Sequence, residues 1–156
     1  MMREAEHWLD EYARDHQNPV NKTMHRICVP LIVVSLIGLL WSLPTPEAFL
    51  GISVALNWGT AFLLAAVVYY FVMSIPLALG MLPFVLLVVV IVNWMDGLPG
   101  PLWLWSGAVF VVAWIGQFYG HAVEGRRPAF FRDLQFLMIG PLWLLAALFR
   151  RFGISY

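Results

Sequence analysis

Four histidines stand in this 156-residue sequence, and three of them sit where their imidazoles could meet. Asn18-Pro19 reads as a helix start, because Asn is a favoured N-cap and Pro a favoured first helical residue. On that helix Asn21, His25, Cys28 and Ile32 share one face, at i, i+4, i+7 and i+11. His16 lies just before the turn, on the apolar face continued from Tyr12 and Ala13, so a tight helix–turn–helix can bring His16 to His25. Far along the chain, Gln117, His121 and Glu124 share a face at i, i+4 and i+7, and Gly120 leaves room for a close approach. Imidazole and carboxylate ligands suit a divalent metal such as Fe, Zn, Mn or Ni. Two His and one carboxylate with open positions is the arrangement of non-haem Fe(II) oxygenases. Glu124 is open between three roles: a fourth ligand, the acceptor that orients a ligating His, or a general base. H-x-x-E alone is a weak pattern, and no H-E-x-x-H is present. The fourth histidine, His7, falls on the polar side of the first helix and is expected in solvent.

The elements that must position these residues are membrane helices. Hydrophobic residues make up 62% and charged residues 12% of the chain, against roughly 45–50% and about 25% in soluble domains. Mean hydropathy is +0.80. This excludes disorder, collagen and a disulfide scaffold, since Cys28 stands alone. Zero net charge gives no electrostatic case for nucleic acid. A transmembrane helix needs about 20 apolar residues. Four runs fit: 27–43, stopped by Pro44-Thr45-Pro46; about 48–73; 76–92, stopped by Asn93, Asp96 and the Gly97–Pro101 turn; and 102 to about 119. A fifth run, 134–149, could span, tilt or re-enter. Asn57 is read as a helix–helix hydrogen-bonding residue inside the second run, and the tryptophans mostly as interfacial belts. The first run starts too late and lacks a cleavage site, so it is expected to be retained.

The expected fold is therefore all-α, a polytopic bundle of four to five transmembrane helices with an N-terminal amphipathic helix. It forms one integral membrane domain over 1–156, with 1–18 interfacial and 19–156 in the bundle. Arg3, Arg14, Lys22 and Arg26 precede the first run, and Arg126, Arg127 and Arg132 follow the fourth. The loops between carry no Lys or Arg, so both groups are expected on the cytoplasmic side. Four crossings put His16, His25, His121 and Glu124 at one interface. Ionisable groups near membrane depth usually face a bundle interior or a cavity.

Two motifs carry a family resemblance. His16-x-Asn18-Pro19-x-Asn21-Lys22-x-x-His25, followed by Pro30, resembles the N-terminal signature of the 2-hydroxy fatty acid dioxygenase family. Trp114-x-x-Gln117-x-x-Gly120-His121-x-x-Glu124, followed by Pro128-Ala129, resembles its second signature. The likeness covers nearly the whole chain in the order of motifs and apolar runs. Cys28 stands where the family tends to have Gly, and Ala146 and Ala147 stand where an acidic residue is often found. The resemblance implies an Fe(II)-dependent α-oxidation, in which a 2-hydroxy fatty acid and O2 give the fatty acid one carbon shorter and CO2.

In that reading His16, His25 and His121 are the metal ligands, and Glu124 and Lys22 the catalytic candidates. Asn18, Asn21, Gln117 and Arg127 support the ligands or the substrate, and Lys22 or Arg127 pairs with the substrate carboxylate. The partners are a lipid substrate taken from the bilayer, O2 and the membrane itself; nucleic acid is not expected, and an oligomer is compatible. The membrane would be a bacterial inner membrane or endoplasmic reticulum. Competing readings are a haem-binding electron carrier with two axial His, a transporter or scaffold with a structural polar cluster, and a zinc hydrolase. No inverted repeat supports transport.

Overall fold

A computed structural model describes residues 2–14, 16–125 and 130–154, and among these every regular element is helical. Helix α1 (Met2–Arg14) buries Leu9 and Tyr12 and leaves Glu6, His7 and Asp10 exposed, as its amphipathic spacing predicts. Helix α2 (Pro19–Trp41) starts where Asn18 and Pro19 place it: the Asn18 side chain accepts the Val20 N–H at 2.8 Å. Helix α3 (Glu47–Leu50) is a single turn, followed by α4 (Trp58–Met73), α5 (Ile75–Asp96), α6 (Leu102–Glu124) and α7 (Phe130–Arg151).

Among the described residues three helices, α2, α5 and α6, are long and apolar enough to cross a membrane. The four to five spans expected are matched only in these three, and the second run shows why it falls short. Its 48–73 stretch is not one helix. Asn57 accepts the Thr60 N–H at 3.0 Å while the Thr60 hydroxyl accepts the Asn57 N–H at 2.8 Å. This capping box starts α4 at Trp58 and leaves an apolar helix of 16 residues. Asn57 is thus an N-cap and not a bridge between helices. The third run outlasts its expected stop, because Asn93 and Asp96 fall inside α5 and Gly97 caps it. The fifth becomes a 22-residue helix with Pro141 in its interior, flanked by Arg132 and Asp133 at one end and Arg150 and Arg151 at the other.

The bundle is organised around α2, which packs on α4, α5, α6 and α7. Its closest partner is α6, which runs antiparallel to it along a seam of small residues. A Cβ on Gly38 would strike Ser106, one on Gly116 would lie 2.6 Å from Cys28 Sγ, and one on Gly120 would lie 2.6 Å from Asn21 Oδ1. Without a hydrophobic driving force between helices in lipid, such close backbone approach is a main source of association. The seam brings the start of α2 to the end of α6. Meanwhile Leu64, Val68, Leu86, Val90, Val112 and Ile115 stay more than half exposed on the outer faces, a surface suited to hydrocarbon and not to water.

Candidate metal centre

Three imidazoles meet at the point where α1 turns into α2 and α6 ends. His16, His25 and His121 are 3%, 3% and 7% exposed, and each offers a ligand atom within 4.8 Å of the other two. Ring centroids lie 4.1 Å apart for His16–His25, 5.0 Å for His25–His121 and 5.6 Å for His16–His121.

The hydrogen bonds fix how two of the rings present themselves. His16 Nδ1 lies 2.6 Å from the Tyr12 carbonyl and His25 Nδ1 lies 3.0 Å from the Asn21 carbonyl. A carbonyl only accepts, so each Nδ1 carries the proton and donates. In the neutral rings both Nε2 atoms then present lone pairs, and they face each other at 2.9 Å. Two lone pairs at that distance need an electrophile between or beside them, a proton shared as a hydrogen bond or a metal ion. Two ligands at right angles on one ion, each about 2.1 Å away, stand about 3 Å apart. His121 adds a buried Nδ1 that no described group hydrogen-bonds. Leaving such a group unpaired costs about 1–3 kcal/mol. The donor set and its spacing therefore fit a divalent transition metal held by neutral imidazoles, and three buried His could hold such an ion.

The backbone around the rings is arranged to keep them there. Tyr12 stacks on His16 at 4.2 Å with 12° between planes, one turn earlier on the same helical face. Trp143 of α7 closes the other side, 5.4 Å from Tyr12 and 6.1 Å from His16. Glu124 ties the end of α6 to the turn before α2. Its Oε1 accepts the Gln17 N–H at 3.1 Å, and its Oε2 accepts the Asn18 N–H at 2.9 Å and Asn21 Nδ2 at 3.0 Å. These bonds occupy the carboxylate with backbone and amide donors. The ligand atoms that cluster belong to the three histidines.

The remaining sequence candidates fall as follows. Asn18 caps α2, and Asn21, fully buried, links His25 to Glu124. Gln117 is 6% exposed, one turn before His121, and its Oε1 has no hydrogen-bond partner among the described residues. Lys22 is half-buried on the first turn of α2. Arg127 lies outside the described residues. His7 is exposed, as expected. Two contributors were not singled out as site residues. The i, i+4 spacing of Tyr12 and His16 on an apolar face could have flagged Tyr12. Trp143 reaches the site only through the docking of α7 on α1, which no local pattern announces, and it is buried where the tryptophans were expected mostly at interfaces.

The 2-hydroxy-palmitic acid dioxygenase Mpo1-like family model matches residues 2–152. No curated protein and no solved structure matches the chain. The family match runs from α1 through α7 and takes in all three clustered histidines, Asn18, Asn21, Gln117 and Glu124. The chain belongs to the 2-hydroxy-palmitic acid dioxygenase Mpo1-like family.

Proposed function

We propose that this protein is an Fe(II)-dependent dioxygenase of fatty acid α-oxidation, converting a 2-hydroxy fatty acid and O2 into the acid one carbon shorter, CO2 and water. The observation that carries the reading is the pair of Nε2 lone pairs turned on each other at 2.9 Å beside a third buried imidazole, in a chain of a dioxygenase family. The overall change balances: the hydroxyl-bearing carbon becomes the new carboxyl, the old carboxyl carbon leaves as CO2, and O2 accepts the electrons both carbons lose.

His16, His25 and His121 hold the ion, and the outward Nδ1–H bonds to Tyr12 and Asn21 keep Nε2 of His16 and His25 aimed inward. Bound iron would supply one-electron chemistry for O2 and a seat for the adjacent hydroxyl and carboxylate oxygens of the substrate. Lys22 and Arg127 draw the substrate carboxylate toward the site. Glu124 works through the turn it holds: by fixing Gln17, Asn18 and Asn21 it sets where His16 and His25 stand. Gln117 turns an unpartnered carbonyl oxygen into a buried interface, where it can accept the substrate hydroxyl proton as a hydrogen bond. Tyr12 and Trp143 keep bulk water from the rings.

The substrate is dissolved in the bilayer, which is why a small oxygenase is built from membrane helices. The positive residues before α2 and after α6 support a cytoplasmic N-terminus. The deciding experiment is aerobic incubation of the Fe(II)-loaded protein with 2-hydroxypalmitic acid. Appearance of the acid one carbon shorter with matching O2 uptake is expected. Tight zinc binding with no O2 consumption under any loading sinks the proposal.

A further inference from the structure

We propose that the acyl tail of the substrate lies in a row of apolar cavities along one face of α2 and enters it sideways from the bilayer between α2 and α4. The inference deepens the dioxygenase reading and rests on it for the head group, while the tail site stands on its own observations. The first is the row itself. A cavity of ≈ 170 Å³ lies between Pro30 of α2, Pro141 and Leu144 of α7, and Met81 and Phe84 of α5. A narrow neck of ≈ 20 Å³ shares Met81, Phe84 and Pro141 with it and adds Val33 and Leu36. A cavity of ≈ 470 Å³ then shares Leu36, Phe62, Ala66 and Met138 with the neck. The lining of all three is almost wholly hydrocarbon. A proline inside a helix removes one backbone hydrogen bond and displaces the preceding turn, and the first cavity sits between two such prolines, Pro30 and Pro141.

The second observation is depth. Pro30, Val33 and Leu36 recur every three residues on the helix that carries His25. From His25 to Leu36 an α-helix rises about 16 Å. A bilayer core of about 30 Å holds two layers of tails, so one tail spans about 15 Å. The third is continuity with the imidazoles. A Cβ on Gly140 would touch both the Tyr12 hydroxyl at 3.3 Å and Val29 at 3.2 Å. Tyr12 stacks on His16, while Val29 and Gly140 immediately precede Pro30 and Pro141 of the first cavity. The metal centre and the row thus share one wall. The mouth is lateral: Ala65 and Tyr69 are exposed at the wide cavity, over a floor at buried Ala66. A tail already in hydrocarbon enters there without crossing water.

The test uses the full-length protein in lipid–detergent micelles and a 2-hydroxy fatty acid carrying a diazirine at the tail end. On illumination, label is expected on α4 around Ala65 and Tyr69 and on α2 around Leu36. Unlabelled 2-hydroxypalmitic acid should displace it and phosphatidylcholine should not. Label confined to the outer faces of α5 and α6, or displaced equally by phospholipid, overturns the proposal in favour of an ordinary lipid annulus. A second arm reads chain length with Ala65→Trp, which adds bulk at an exposed position and spares the core. Its kcat/KM for long 2-hydroxy acids should fall about tenfold or more, the loss expected when about two methylenes are left outside the lining. Short acids should stay within about twofold of the parent, as for surface substitutions generally. An unchanged length profile in the folded variant refutes the tail site. If the parent protein turns over no 2-hydroxy acid at all, the head-group reading fails by itself and the cross-linking arm still decides the cavity.

Discussion

Gly120→Ala is the smallest change that should break the metal centre without touching a ligand. The added methyl would stand 2.6 Å from Asn21 Oδ1 and 3.1 Å from Met24 Cβ. Ordinary contact begins near 3.4 Å, so α2 and α6 must part by about 0.8 Å or Asn21 must turn away. Separation carries His121 from His25, against a metal-site tolerance of about ±0.2 Å. Turning the Asn21 side chain instead breaks its bond to Glu124, the carboxylate that holds the turn before α2. Overpacking of this kind costs about 1–3 kcal/mol in stability, and losing a group that orients a ligand costs about 10–100-fold in metal affinity. Gly107→Ala on the same helix supplies the control. A Cβ there meets nothing within 4 Å, and Ala is favoured over Gly in a helix by about 1 kcal/mol. Metal affinity is measured by chelator competition on purified protein, and stability by thermal unfolding in the same detergent. Gly120→Ala should lose affinity about 10–100-fold while Gly107→Ala binds like the parent. Equal affinities in the two variants would refute the argument that the α2–α6 seam sets the ligand spacing.

Further outcomes follow from the same geometry. His16→Ala, His25→Ala and His121→Ala should each lose more metal than the roughly 10–100-fold cost of an orienting partner, with helical circular dichroism retained; full metal content after any one of them excludes that ring as a ligand. Glu124→Gln places an amide donor against three N–H donors and should weaken metal binding about tenfold, seen in the chelator titration; Glu124→Asp should recover less than the parent, because the shorter carboxylate cannot reach all three. Gly116→Ala, whose Cβ would lie 2.6 Å from Cys28 Sγ, should lower the midpoint of thermal unfolding. Cys28→Ala in the same chain should restore it; failure of the pair to couple would mean that the sulfur does not set the helix spacing.

The histidine triad was legible because its spacing is local. His25, His121 and their neighbours repeat at helical intervals, and the Asn18-Pro19 start fixes the register of α2 without any tertiary information. Their meeting required that the start of α2 and the end of α6 lie together, and the close approach of Gly116 to Cys28 and of Gly120 to Asn21 puts them there. The helix count was less legible. Residues 48–73 are mostly apolar, and hydropathy cannot see that the Asn57 and Thr60 side chains close a cap between them. Asn93 and Asp96 read as a stop, yet a helix continues through polar residues when its last turn reaches the surface. Trp143 was illegible for a different reason: it touches the site only after α7 has docked on α1, and sequence separation of that size leaves no periodic trace.

Glu124 shows why residue types alone leave a role open. H-x-x-E beside other histidines invites the carboxylate into the coordination sphere. In the fold its oxygens face the Gln17 and Asn18 amides and the Asn21 side chain, donors that a helix start presents to an anion. A carboxylate so engaged does more for the imidazoles as a clamp than as a ligand. It holds the turn from which His16 projects and, through Asn21, the carbonyl that orients His25. With the carboxylate engaged elsewhere, the three clustered ligand atoms are all imidazole nitrogens, and under the proposed function the charge of an ion held there would be left for the substrate carboxylate to compensate. On the proposed function, a site for an anionic, chelating substrate gains by withholding its own anion, and three buried rings with Glu124 tied to the turn beside them fit that reading.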